Sequence, residues 1–229
     1  DRIRPLALDV TDEESRTAAL AAIAADGETL DMLVNNAGYG LMGAAAELEL
    51  PALRKQFETN LMAPIALISA VVPQMAARKS GVIVNVGSIS GIVATPFSGA
   101  YCASKAALRL YSDALRMELM PFGVQVVVVE PGGIASNFGA RSKEQAQLPQ
   151  NDASLYKHLA ANIEKRTQMS QNSPTTAEDF AEALARRLLV DKPAATLRLG
   201  HGSLMLPLLK RTLPTCLLDR ILGGRFGLK

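Results

Sequence analysis

An α/β fold with a parallel sheet covered by helices on both faces is predicted by three features of this sequence. Short apolar runs that stop at Asn, Gly or Pro alternate with helical segments along the whole length, with no internal repeat. The runs are rich in Val and Ile and bounded by turn residues, as expected of parallel strands buried on both faces. The loops that follow three of them, NNAG, GSIS and PGGI, lie far apart in sequence. In such a sheet they converge on one crevice at the carboxyl ends of the strands.

Taken in order, PLALDV reads as a strand. Thr11 followed by Glu14 has the form of a capping box for a helix over 12–26, closed by Gly27. LDMLVNNAG is a strand running into a loop. From Pro51 to Arg78 the pattern is helical, but Pro64 and Pro73 predict a break or kink. GVIVNVGS is the next strand, residues 99–120 the next helix, and VQVVVVEPG the strand after it. A helix around ASLYKHLAANIEKR precedes the amphipathic AEDFAEALARRLLV, which Thr176 caps, and TLRLG is the last strand.

Composition narrows the function. The 24 basic and 22 acidic residues leave a charge of only +2, and no aromatics interleave with basic groups, which argues against nucleic acid and for small-molecule chemistry. Cys102 and Cys216 form neither a disulfide framework nor a metal-ligand pattern, which suits a reducing, cytoplasmic setting. His158 and His201 stand alone and read as surface or turn residues. Proline interrupts the apolar stretches well short of the roughly 20 residues of a membrane span.

Within AYCASKAAL, Tyr101 and Lys105 are four apart and share one helix face among small neighbours. Ser88, just past VIVNVGS, is delivered to the crevice by its strand. An ammonium beside a phenol favours the phenolate, so Lys105 is expected to lower the Tyr101 pKa while Ser88 holds a substrate oxygen. Each feature also has an ordinary reading, a solvated helix face for the pair and a turn or cap for the serine. The combination is what points to proton transfer. It contains no nucleophile and no metal, so a second molecule must supply the difficult step, and hydride from a nicotinamide fits.

With NNAG at 35–38, Asn60, Ser88, YxxxK at 101–105 and PGGI at 131–134 in this order, the sequence resembles the short-chain dehydrogenases/reductases, from LDVTD to about residue 200. The resemblance implies a single Rossmann-type domain over 1–202, doubly wound, with 203–229 as a C-terminal extension. It makes Tyr101 the catalytic acid/base, Lys105 also a ligand of the nicotinamide ribose, Ser88 the group that polarises a carbonyl, and Asn60 the holder of a relay water. Asp9 and Val10 are placed beside the adenine, and Asn36, Ala37 and Gly38 along the cofactor. Pro131, Gly132 and Ile134 fall near the carboxamide, and Ser136 stands where the family often has threonine. The NNAG asparagines also knit neighbouring strands. NADP is the cofactor inferred, with NAD as the alternative, and a homodimer or homotetramer is implied.

The glycine-rich TGxxxGxG turn that opens the family is absent from this sequence, as are the strand, helix and strand around it, about 40 to 60 residues. In the family's strand order the two absent strands separate PLALDV from LDMLVN, leaving about 14 Å between them at a spacing of roughly 4.8 Å. The expectation is therefore that these residues belong to a longer polypeptide, and an intact mass above 24.3 kDa for the source protein would show it.

The segment from Ser136 to Pro174 is polar and is where the family closes over its substrate. The tail combines leucines with Lys210, Arg211, Arg220, Arg225 and Lys229 against Asp219. It reads as a helix pair on the core or on a second subunit, as a lid over an apolar substrate, or as a peripheral membrane contact. Tyr39, Leu41 and Met42 extend the apolar rim. Two functions follow: an oxidoreductase interconverting a carbonyl and an alcohol on an apolar substrate, or a non-catalytic binding or assembly module on the same fold.

Overall fold

The computed structural model of the chain describes residues 3–25, 27 and 29–228. Among these, four parallel strands make one sheet in sequence order: β1 Met32–Asn35, β2 Gly81–Val86, β3 Val124–Pro131 and β4 Thr196–Leu199. The register sets Val34 opposite Val84 and Val84 opposite Val127. Successive strand residues point to opposite faces, so the Val/Ile runs feed two cores. On one face Ile83 and Val126 pack with Ile68, Val71, Met75, Leu115 and Leu119. On the other, Val84, Val127, Val129 and Leu197 pack with Leu188, Phe180 and Leu184.

The helices that cover these faces follow from local chemistry. Helix α1 spans Glu13–Ala25, and its cap differs from the expected box: Asp12 accepts from the Ser15 N–H at 2.7 Å. Thr11 instead donates its N–H and O–H to the Asp9 carboxylate at 2.9 and 2.7 Å. An ionised carboxylate one residue on is the stronger acceptor for the helix end. Asp26, the last residue of the expected helix, lies outside the described residues. Helix α2, Leu50–Phe57, runs through a π turn at Glu58–Met62 into α3, Ala63–Ala77. The interruption foreseen from the prolines is this π turn, and Pro64 follows directly after it at the start of α3. The run Leu50–Ala77 is long and apolar enough, by length and composition alone, to cross a membrane, in contrast to the expectation from proline spacing. Here its residues Ile68, Val71 and Met75 are buried against the sheet.

Helix α4 spans Gly99–Leu119, α5 Phe138–Glu144, α6 Ala160–Gln168 and α7 Ala177–Leu188. The helix expected from Ala153 starts later, because Ser154 and the Leu155 N–H donate to Glu47 at 2.6 and 2.9 Å and hold a turn there. Thr176 caps α7 by accepting from the Asp179 N–H at 3.1 Å. Thr176→Ala is therefore expected to lower stability by about 1 kcal/mol, read by urea unfolding, with catalysis untouched.

One expected strand does not form. PLALDV forms no strand among the described residues, with Leu6 and Leu8 41% and 43% exposed. A strand needs a neighbour to satisfy its backbone groups, and among the described residues no strand lies beside this segment. The edge strand β1 correspondingly leaves Val34 46% exposed. At the other end, α8 Met205–Thr212 and α9 Thr215–Arg225 form a helix pair. Leu218 and Leu222 of α9 pack on Val93, and Phe226 packs on Phe97, Leu159 and Ile163.

Candidate active site

The sheet delivers its strand ends to one side, and α4 brings its first turns to the same place. Tyr101 and Lys105 lie one turn apart and are both buried, as is Ser88 beyond β2. Ser88 starts a single 3₁₀ turn, Ile89–Gly91, by accepting from the Ser90 N–H at 3.1 Å. That turn lies directly on α4: a Cβ at Gly91 would stand 2.9 Å from the carbonyl carbon and oxygen of Lys105. Gly91→Ala should thus push Ser88 away from Tyr101. The expected outcome is a stability loss of about 1–3 kcal/mol by urea unfolding and a drop in turnover larger than the stability loss explains.

Ser88 stands near enough to the Tyr101 phenol to favour its ionised form, and the ring packs on Phe138 with centroids 5.3 Å apart. Burial pushes its pKa up to about 12, an effect that nearby Ser88 and the Arg166 charge only partly offset. This differs from the expectation that Lys105 lowers it. The Lys105 ammonium instead donates to the Val86 carbonyl at 2.7 Å, and burial brings its own pKa down to about 8. The cation whose charge acts on the phenol is Arg166, from α6.

Asn60 sits in the π turn, fully buried. It accepts from the Tyr39 N–H at 3.2 Å and donates to the Tyr39 carbonyl at 3.0 Å and the Ser104 hydroxyl at 3.1 Å. Gly38 is pressed between this amide and the ammonium: a Cβ there would meet Asn60 Oδ1 at 3.0 Å and Lys105 Nζ at 3.5 Å. The first Asn of NNAG, Asn35, donates to the Asn85 side-chain oxygen at 2.8 Å, and Asn85 donates to the Ser112 hydroxyl at 2.8 Å, joining β1, β2 and α4. Asn36 and Ala37 are exposed in the loop beyond.

Pro131 ends β3. Gly132 then donates to the Leu199 carbonyl at 2.9 Å, and Ile134 pairs with Thr175. Ser136 is exposed and donates to the Ile134 carbonyl at 3.4 Å. Asp9 and Val10 line a separate cavity of about 730 Å³ with Tyr39, Arg54, Lys55 and Arg141. The Thr11 hydrogen bonds hold the Asp9 carboxyl below its usual range. The structure thus gathers Ser88, Tyr101, Lys105, Asn60 and Gly38 at one point. It sets Asp9 and Val10 along the cavity that Tyr39 also lines.

Two residues near this point escaped the sequence reading. Gln56, fully buried, accepts from the Leu41 N–H and donates to the Tyr39 carbonyl, both at 2.7 Å, pinning the loop after NNAG. Arg166 carried one signal: with Leu159, Ile163 and Thr167 it completes a stripe at helical spacing, which places it on the buried face.

Comparison with known proteins assigns this arrangement. The family model described as short chain dehydrogenase matches residues 1–147. The uncharacterized oxidoreductase YusZ of Bacillus subtilis (strain 168) is 34% identical over 191 residues, 82% of this chain and 68% of that protein. The crystal structure of a short-chain dehydrogenase from Streptomyces avermitilis aligns with a TM-score of 0.78 at 31% identity, covering 99% of this chain and 80% of that one. The closed form of serine dehydrogenase complexed with NADP+ aligns with a TM-score of 0.69 at 27% identity, covering 84% and 73%. The chain belongs to the short-chain dehydrogenase/reductase family, and its class is that of the oxidoreductases.

Proposed function

We propose that this chain carries the catalytic crevice of an enzyme that interconverts a carbonyl and an alcohol with a nicotinamide dinucleotide, Tyr101 being the proton donor and acceptor. The observation that carries the reading is the burial of Tyr101 and Lys105 on one face of α4, with Ser88 buried beyond β2 and near enough to act on the phenol. The residues fit the nicotinamide end of such a cofactor. An ammonium has three donors, and within the protein Lys105 uses one, so two remain for ribose hydroxyls beside Gly38. Asn36, Ala37, Gly38, Pro131, Gly132, Ile134 and Ser136 occupy the strand ends around it, with Asp9 and Val10 assigned to the adenine side. When bound, the dinucleotide supplies the hydride.

Ser88 then orients the substrate oxygen, and Tyr101 transfers its proton to that oxygen. Because burial keeps the phenol protonated, the form present is the one that reduction needs. The apolar neighbours of the site, Phe138 on the phenol and Phe97, Tyr156 and Met169 in the adjoining cluster, suit an apolar substrate body. NADP is the cofactor proposed, with NAD as the alternative, since one solved relative holds NADP+ and another NADH. The test is a screen of the full-length protein against ketones, aldehydes and alcohols, following reduced-nicotinamide absorbance with each cofactor. Turnover of apolar carbonyls with NADPH is expected, and nicotinamide binding without turnover of any carbonyl or alcohol would contradict the reading.

A further inference from the structure

Arg166 is only 8% exposed, yet among the described residues no carboxylate pairs with it. Its Nε and Nη2 both donate to one neutral oxygen, Thr95 Oγ1, at 3.2 and 3.1 Å. A guanidinium carries five N–H donors, so three are left without a protein acceptor. Nη1 is not among the buried atoms that lack a partner, so the free side of the fork is open to a ligand, and a mere anchor for α6 could use a neutral side chain.

The position is what gives this charge a use. Thr95 lies on the segment between Ser88 and Tyr101, and its hydroxyl meets the Ser98 hydroxyl at 2.8 Å, which in turn meets Cys102 Sγ at 3.3 Å. The guanidinium is thereby held next to the first turn of α4, close enough for its charge to act on Tyr101 and Cys102. The same helix sends Ile163 into an apolar cluster with Phe97, Leu159 and Met169. We propose that Arg166 is the receptor for a carboxylate on the substrate, so that the molecule reduced or oxidised at Tyr101 has an apolar body and one anionic end. Guanidinium and carboxylate match as a planar, two-bond pair, which Thr95 helps to orient by fixing one edge of the fork. The proposal rests on the reading of Tyr101 as the reacting centre.

The test measures binding apart from turnover. The full-length protein is titrated calorimetrically with octanoate and with octanamide, which share a chain and differ in charge. The wild type is expected to bind octanoate about tenfold more tightly or better, as one charge-assisted bidentate pair allows. Arg166→Gln should remove that advantage while leaving octanamide affinity unchanged, and Arg166→Lys should retain part of it. Equal affinities in the wild type, no octanoate binding, or an advantage that survives Arg166→Gln would overturn the proposal. Should Arg166→Gln fail to fold, the wild-type pair and Arg166→Lys still decide. The same preparation is assayed on neutral ketones. Turnover without carboxylate preference sinks the Arg166 site alone, and carboxylate preference without any turnover sinks the enzyme reading alone.

Discussion

Tyr101→Phe is expected to lower the rate of carbonyl reduction by about 10²- to 10⁴-fold, the range that a positioned general acid contributes. The substitution removes one hydroxyl and preserves the ring that packs on Phe138. The fold should therefore survive, with stability changed by about 1 kcal/mol or less through loss of the buried hydroxyl. Nicotinamide affinity, measured by fluorescence titration, should stay within about threefold, because Lys105 and the strand-end loops are untouched. Loss of rate at constant cofactor affinity is the signature of a group that acts in the chemical step. A variant retaining most of its rate would move the proton donor elsewhere.

Lys105→Met should damage both properties. It removes the two ammonium donors facing Gly38 along with the bond to the Val86 carbonyl, so cofactor affinity is expected to fall by about tenfold or more, the worth of a charge-assisted hydrogen bond, with turnover falling further. A second readout comes from linkage. Burial lowers the Lys105 pKa to about 8 in the folded chain from 10.5. Between those values the unfolded chain holds a proton that the folded chain has released, so stability from this group rises with pH across the window. Below about pH 8 the cost of burying the charged amine is present in full. Urea unfolding of the cofactor-free protein at several pH values from 7.5 to 9.5, below the range where tyrosine titrates in the unfolded chain, should show this rise for the wild type and a flatter curve for Lys105→Met. Identical slopes would mean that the amine is solvated.

The parts of this molecule legible in its sequence are those fixed by local pattern. The β-branched runs of β2 and β3 and the i, i+4 spacing of Tyr101 and Lys105 needed no knowledge of the rest of the chain. The helix interruption at Asn60 was signalled by Pro64, though not its form as a π turn, which depends on how the backbone fits against α4. What failed was what depends on neighbours. PLALDV has the composition of a strand but no partner to bond. The capping of α1 turned on a competition between Thr11 and Asp12 that spacing does not resolve. The direction of the Tyr101 shift was misjudged because i, i+4 proximity was weighed without burial, and burial dominates for a phenol under Phe138. Arg166 was hidden for the same reason, since a lone arginine in a polar segment looks solvated until α6 is seated on Thr95.

The most direct test of the central claim is to give the full-length protein NADPH carrying deuterium at the transferring position of the nicotinamide, together with an apolar ketone, and to weigh the product. The account predicts an alcohol one mass unit heavier at its carbinol carbon, formed by the wild type and nearly absent with Tyr101→Phe at equal cofactor occupancy. An alcohol lacking the label, or no alcohol despite bound NADPH, would contradict it.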